Sequence, residues 1–154
     1  MDPLSIGSAV VGLIAAASRI APLLYHFTAH IKDAPKSASY MLDELNSVTA
    51  ALEQLQIYLM GAERTNVARR TLLSLRNIVA TLTACVKTYS DLEIMVFKCL
   101  DDQTRQVKRI KWLINEADIN ELTQRVQGHK SSLTLMLQVL QWYVLCYSQQ
   151  ISPF

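Results

Sequence analysis

Apolar residues recur along this chain at alternating intervals of three and four, the period of helices that bury one face. Asp2 followed by Pro3 reads as an N-cap and first helical residue, opening a segment that passes Leu4, Ile6, Val10, Leu13, Ile14 and Ala17 toward Phe27, with a kink expected at Pro22. Asp33 is expected to cap a second helix, whose seam of Ala38, Met41, Leu45, Val48, Leu52, Leu55 and Leu59 ends at Gly61. A third helix begins near Thr65 and carries Leu72, Leu75, Val79, Leu82, Val86 and Tyr89. Ser90-Asp91-Leu92-Glu93 then has the form of a capping box, which predicts a bend or break. A short amphipathic helix follows from Gln103 to Ile114, with Val107, Ile110, Leu113 and Ile114 assigned to the core side and Arg105, Lys108, Arg109 and Lys111 to the outside. Asn115 to Asp118 offers caps for a last helix, whose seam runs Ile119, Leu122, Val126, His129, Leu133, Met136, Leu140, Tyr143 and Tyr147. The pattern therefore predicts an all-α fold: one bundle of about five helices, four long and one short, over residues 1–148, with a short tail at 149–154.

Composition narrows the class without changing that layout. Four glycines and four prolines cannot supply the turn every 8–12 residues or so that a sheet protein needs. With 154 residues, 51% hydrophobic and 18% charged, the chain is long and apolar enough for one well-filled core, and disorder is excluded. A net charge of +2 is far from the basic excess of a nucleic-acid binder. Cys85, Cys99 and Cys146 are odd in number and widely spaced, as expected of reduced thiols in the cytoplasm. Asp2 stands where a secretory signal would carry a basic region.

The position of the charges changes the picture more than their number. None lies between Pro3 and Ser18, and none between Ser131 and Phe154, so the apolar excess sits at the two ends. The first segment also places the small residues Ser8, Gly12 and Ala16 four apart, a register that allows close helix packing in membranes. At rest such a segment is expected to be a central helix buried on all sides, and once released it is apolar enough to act as a membrane anchor. The cluster Arg105, Lys108, Arg109 and Lys111, beside Trp112, is a candidate site for anionic lipid headgroups.

Catalytic chemistry is poorly represented. Gly7-Ser8-Ala9-Val10-Val11-Gly12 lacks the lysine and the preceding strand of a phosphate-binding loop. His26 and His30 share a helix face as zinc pairs do, but no glutamate follows His26 and no third ligand is spaced nearby. Cys85 and Cys146 read as core fillers, and His129, on an apolar seam, as a histidine that needs a hydrogen-bond partner. No catalytic, metal or cofactor residue is assigned.

The opening Met1-Asp2-Pro3-Leu4-Ser5-Ile6-Gly7-Ser8-Ala9-Val10-Val11-Gly12-Leu13, the Lys32-Asp33-Ala34-Pro35 entry to the second helix, and His129-Lys130-Ser131-Ser132-Leu133 with Met136-Leu137 resemble, in order, the HeLo-like N-terminal domain of fungal STAND (NLR-type) proteins. The resemblance runs from Met1 to about Leu140. It implies a non-catalytic domain of an immune or incompatibility receptor. Its logic is similar to that of HeLo domains and the four-helix bundle of the necroptosis pseudokinase MLKL, in which oligomerisation brings a helix or a basic surface to the plasma membrane. Carried onto this chain, the membrane-targeting segment is Leu4 to Leu24, with Leu4, Ile6, Val10, Leu13, Ile14, Leu23 and Leu24 as its apolar residues. The implied partners are further copies of the chain, anionic lipids on activation, and a STAND receptor module or a related helical domain. The rival expectation is a protein-binding adaptor whose first helix never leaves the core.

Overall fold

The computed structural model describes residues 3–61 and 76–151. Within them lie five helices and no strand: α1 Pro3–His30, α2 Lys36–Gly61, α3 Arg76–Lys98, the six-residue α4 Arg109–Ile114, and α5 Glu116–Ile151. Thr65, Leu72 and Leu75, expected at the start of the third helix, lie outside the described residues.

Each long helix packs against two others, in the cyclic order α1, α2, α5, α3. Polar contacts between helices fix the directions. Ser37 and Glu44 of α2 meet Glu116 and Lys130 of α5 in parallel order, whereas Thr88 and Asp91 of α3 meet His129 and Arg125 of α5 in reverse order. The end of α1, the start of α2, the end of α3 and all of α4 therefore gather at one end of the bundle.

The core follows the 3,4 spacing closely in α2 and α5. Ala38, Met41, Leu45, Val48, Leu52 and Leu55 are buried, as are Ile119, Leu122, Val126, Leu133, Met136 and Leu140. In α3 the buried row is Ile78, Leu82, Cys85, Tyr89, Leu92 and Val96, so the expected Val86 faces solvent and Cys85 replaces it. The spacing 82, 85, 89 and 82, 86, 89 are equally helical. Only the neighbouring helices decide between them.

Several local expectations are corrected. Ser90-Asp91-Leu92-Glu93 does not break the chain, because α3 continues to Lys98 and buries Leu92 in the same row. Asp33 does not cap α2; it adopts the left-handed conformation (φ 62°) in the turn before it, and α2 starts at Lys36. α1 is not surrounded: Ile6, Val10, Leu13, Ala17, Ile20, Leu24 and Phe27 are buried, while Ser8, Val11, Gly12, Ala15 and Ser18 face outward. It runs through Pro22 as one helix. Finally, the short helix begins at Arg109 rather than Gln103, and its apolar face is inverted. Trp112 is fully buried, whereas Ile110, Leu113 and Ile114 are exposed. α5 also extends through Ile151, three residues into the segment read as a tail.

Candidate functional site

Two surfaces hold the residues singled out by the sequence: the length of α1, and the end of the bundle around α4. In α1 the apolar residues divide by depth. Ile6, Val10, Leu13 and Leu24 are core, Ile14 and Leu23 are partly buried against it, and the side chain of Leu4 lies outside the described residues. Residues 6–30 form the one described helix that is long and apolar enough to cross a membrane, with a mean hydropathy of 1.7. The small residues do not share a face. Ser8 and Gly12 are exposed and a Cβ at Gly12 would meet no atom within 4 Å, whereas Ala16 is buried. Steps of four residues advance about 40° around a helix, and two steps carry Ala16 into the core.

α1 is tied to α3 by one ion pair, Arg19 Nε to Glu93 Oε1 at 2.9 Å. The Arg19 hydrogen bond holds the Glu93 carboxyl below the usual glutamate range. Both groups are solvated, so screening by water leaves the pair little to contribute to holding α1. Burial decides. Six fully buried side chains at about 1.5–3 kcal/mol each amount to on the order of 10 kcal/mol, comparable to the whole stability of a domain this size.

At the other surface, the chain leaves α3 through a tight loop closed by Asp101 N–H to Gln106 O (2.8 Å), Lys108 N–H to Cys99 O (2.9 Å) and an antiparallel bridge between Leu100 and Val107. Arg105 turns the loop with a φ of 57°, a conformation that disfavours side chains. The Asp101 carboxylate accepts from the backbone N–H and hydroxyl of Thr104, which hold its pKa below the usual aspartate value. The Trp112 indole N–H donates to Ser37 Oγ at 2.9 Å, and its ring lies 5.5 Å from that of Phe27, which locks α4 onto α1 and α2.

The four headgroup candidates are not equivalent. Arg105 and Lys108 project from the loop and the start of α4, both exposed. Arg109 Nε donates to Asp33 O at 3.0 Å, which occupies one of its five N–H donors. Lys111 is half-buried and its ammonium donates to Leu100 O at 2.9 Å, so it braces the loop.

The remaining chemistry-bearing residues are dispersed. The His26 and His30 rings meet at a tilt of 46° with centroids 4.7 Å apart, and Gln106 is the only further polar side chain within hydrogen-bond reach of His26 among the described residues. His129 Nε2 lies 2.8 Å from the buried Thr88 hydroxyl, the partner its seam position requires. Burial pushes the Cys85 thiol up to about 11, away from a reactive thiolate. Among the described residues, no three His, Cys, Asp or Glu side chains are placed to hold a metal ion. Sequence reasoning missed the exposed aliphatics of α4, and Trp112 was the overlooked signal: the largest apolar side chain in a short helix claims the core side.

No curated protein and no solved structure matches the chain. One family model does, described as the N-terminal region of the pigment biosynthesis cluster protein PigL, over residues 1–150. That span takes in all of α1 to α4 and α5 up to its penultimate residue, and the chain belongs to this PigL N-terminal family, a HeLo-like fungal domain family.

Proposed function

We propose that this domain is a non-catalytic effector or signalling module of a fungal NLR-like immune or incompatibility receptor, which induces cell death by self-associating and then perturbing membranes through α1. One observation carries the reading: α1 combines a membrane-spanning length and apolarity with an outer face free of charge through Ser18. At rest the domain is cytoplasmic, and on activation it acts at the plasma membrane on anionic lipids.

The energetics constrain how it acts. Removing α1 from the bundle in water would expose the six large side chains of its inner face, a cost on the order of 10 kcal/mol that leaves the released state unpopulated. Lipid around α1 would replace the burial it leaves behind. Release is therefore coupled to the membrane and to clustering, through a population shift.

The adaptor reading draws on the same fully buried inner face, which resists release. Dye leakage from anionic liposomes separates the two, with wild type compared to Val11→Glu. Val11 is half exposed, so the substitution spares the resting core but places a charge in the segment that must enter lipid. Leakage is expected to fall roughly tenfold or more. A folded Val11→Glu that leaks as wild type does sinks the mechanism, and no leakage by wild type favours the adaptor.

A further inference from the structure

The six residues of α4 show an arrangement that the bundle does not explain. Trp112 points inward with no exposed surface, and the helix thereby turns Ile110, Leu113 and Ile114 outward, with 62%, 41% and 76% of their surfaces exposed. A solvated helix end usually carries polar residues at such positions. From Arg105 to Ile114 there are four cations and no carboxylate; the nearest acidic side chains in sequence are Asp101 and Asp102 before and Glu116 and Asp118 after. Asp101 is engaged by Thr104, and Glu116 accepts from Ser37 Oγ. The result is a fixed aliphatic knob with Arg105 and Lys108 exposed beside it.

We propose that α4 is a docking wedge by which the folded domain, with α1 still in place, binds an anionic lipid surface: Ile110, Leu113 and Ile114 enter the headgroup and acyl boundary while Arg105, Lys108 and Arg109 meet the phosphates.

Size and charge select this occupant over a protein. The three side chains expose on the order of a few hundred Å², well under the roughly 800 Å² per partner of a standard protein interface. A bilayer demands no matching shape, and apolar side chains flanked by cations bind it in proportion to buried area and local charge. Rigidity adds to the fit. Trp112 bonded to Ser37, Lys111 bonded to Leu100 O and Arg109 bonded to Asp33 O hold the helix against α2, the loop after α3 and the turn between α1 and α2, so little order has to be gained on docking. The inference extends the proposed membrane action by giving it a first step that does not use α1.

The test is co-sedimentation of the 154-residue chain with vesicles of phosphatidylcholine, with and without phosphatidylserine. Wild type is expected to partition onto the anionic vesicles, and the double variant Ile110→Ser/Ile114→Ser to bind at least tenfold more weakly with its melting curve intact. Arg105→Ala/Lys108→Ala is expected to lose roughly tenfold on anionic vesicles at low salt and nothing on neutral ones. Val11→Glu should dock as wild type does, whether or not it leaks, which separates this step from the action of α1. The inference is overturned if wild type ignores anionic vesicles, if the aliphatic double variant binds unchanged, or if Val11→Glu abolishes docking. It is equally overturned if the aliphatic double variant dissolves self-association in the absence of lipid, because the knob would then be a protein contact.

Discussion

His129 shows how a single polar residue is accommodated on an apolar seam. Its Nε2 meets the buried Thr88 hydroxyl, and burial first, then the neighbouring Arg125 charge, push its pKa below the ordinary 6.5. The folded state therefore prefers neutral imidazole. Stability is full above about pH 6.5 and declines as the pH falls through the unfolded value toward the lower folded one, because the unfolded chain takes up the proton first. Thermal melts are expected to show a drop as the pH falls below about 6.5, above the range in which carboxylates such as Glu93, held below the usual glutamate value, protonate. His129→Gln keeps a hydrogen-bonding group without a titratable one, and should flatten that drop. A slope unchanged in the variant would mean that other groups govern this range.

At the scale of elements, α1 and α4 illustrate opposite uses of an apolar sequence. α1 buries most of its large aliphatic side chains and, as far as Ser18, turns outward mostly small uncharged ones with Val11 among them, so its apolarity exceeds what the core consumes. The outward glycine makes a measurable difference. A Cβ at Gly12 would touch no heavy atom within 4 Å, and the same holds for Gly128 in α5. Gly12→Ala and Gly128→Ala should therefore each raise stability by about 0.5–1 kcal/mol through helix propensity, seen as a higher urea midpoint at constant m-value. Under the proposed self-association, Gly12→Ala gains this stability yet weakens assembly, whereas Gly128→Ala gains it without that loss. Equal assembly by both variants would remove Gly12 from any contact between copies. α4, by contrast, is held by Trp112 and has more aliphatic surface than six residues can bury on one side.

For the whole molecule, the cyclic packing of four long helices means that none is peripheral. α1 supplies Ile6, Val10, Leu13, Ile20, Leu24 and Phe27 to a core shared with α2 and α3, and Phe27 is also the ring against which Trp112 rests. A chain lacking residues 1–31 is expected to lose its cooperative thermal transition and, with it, the fixed position of α4. Circular dichroism melts check this directly, and a truncated chain that still melts sharply would show that α1 is docked rather than integral. Because deleting α1 removes part of the shared core, surface substitutions rather than deletions are the informative probes of α1 in a membrane assay.

The all-α class, the two long seams of α2 and α5, and the apolar character of α1 were legible in the residues, because a repeat of about 3.6 residues and the position of charges are properties of the chain alone. Tertiary structure decided which of two equally periodic rows is buried. In α3 it chose Cys85 over Val86, since that face meets α1 and α5. In α4 it chose Trp112 over Ile110, Leu113 and Ile114, since one indole satisfied by Ser37 fills the gap between α1 and α2. It also overruled the local capping signal at Ser90 to Glu93, where burial of Leu92 and Val96 outweighs a cap worth about 1 kcal/mol. Periodicity locates a helix face only to within one residue. Where two faces are both apolar, the neighbours that compete for them settle which is core and which is left for a partner.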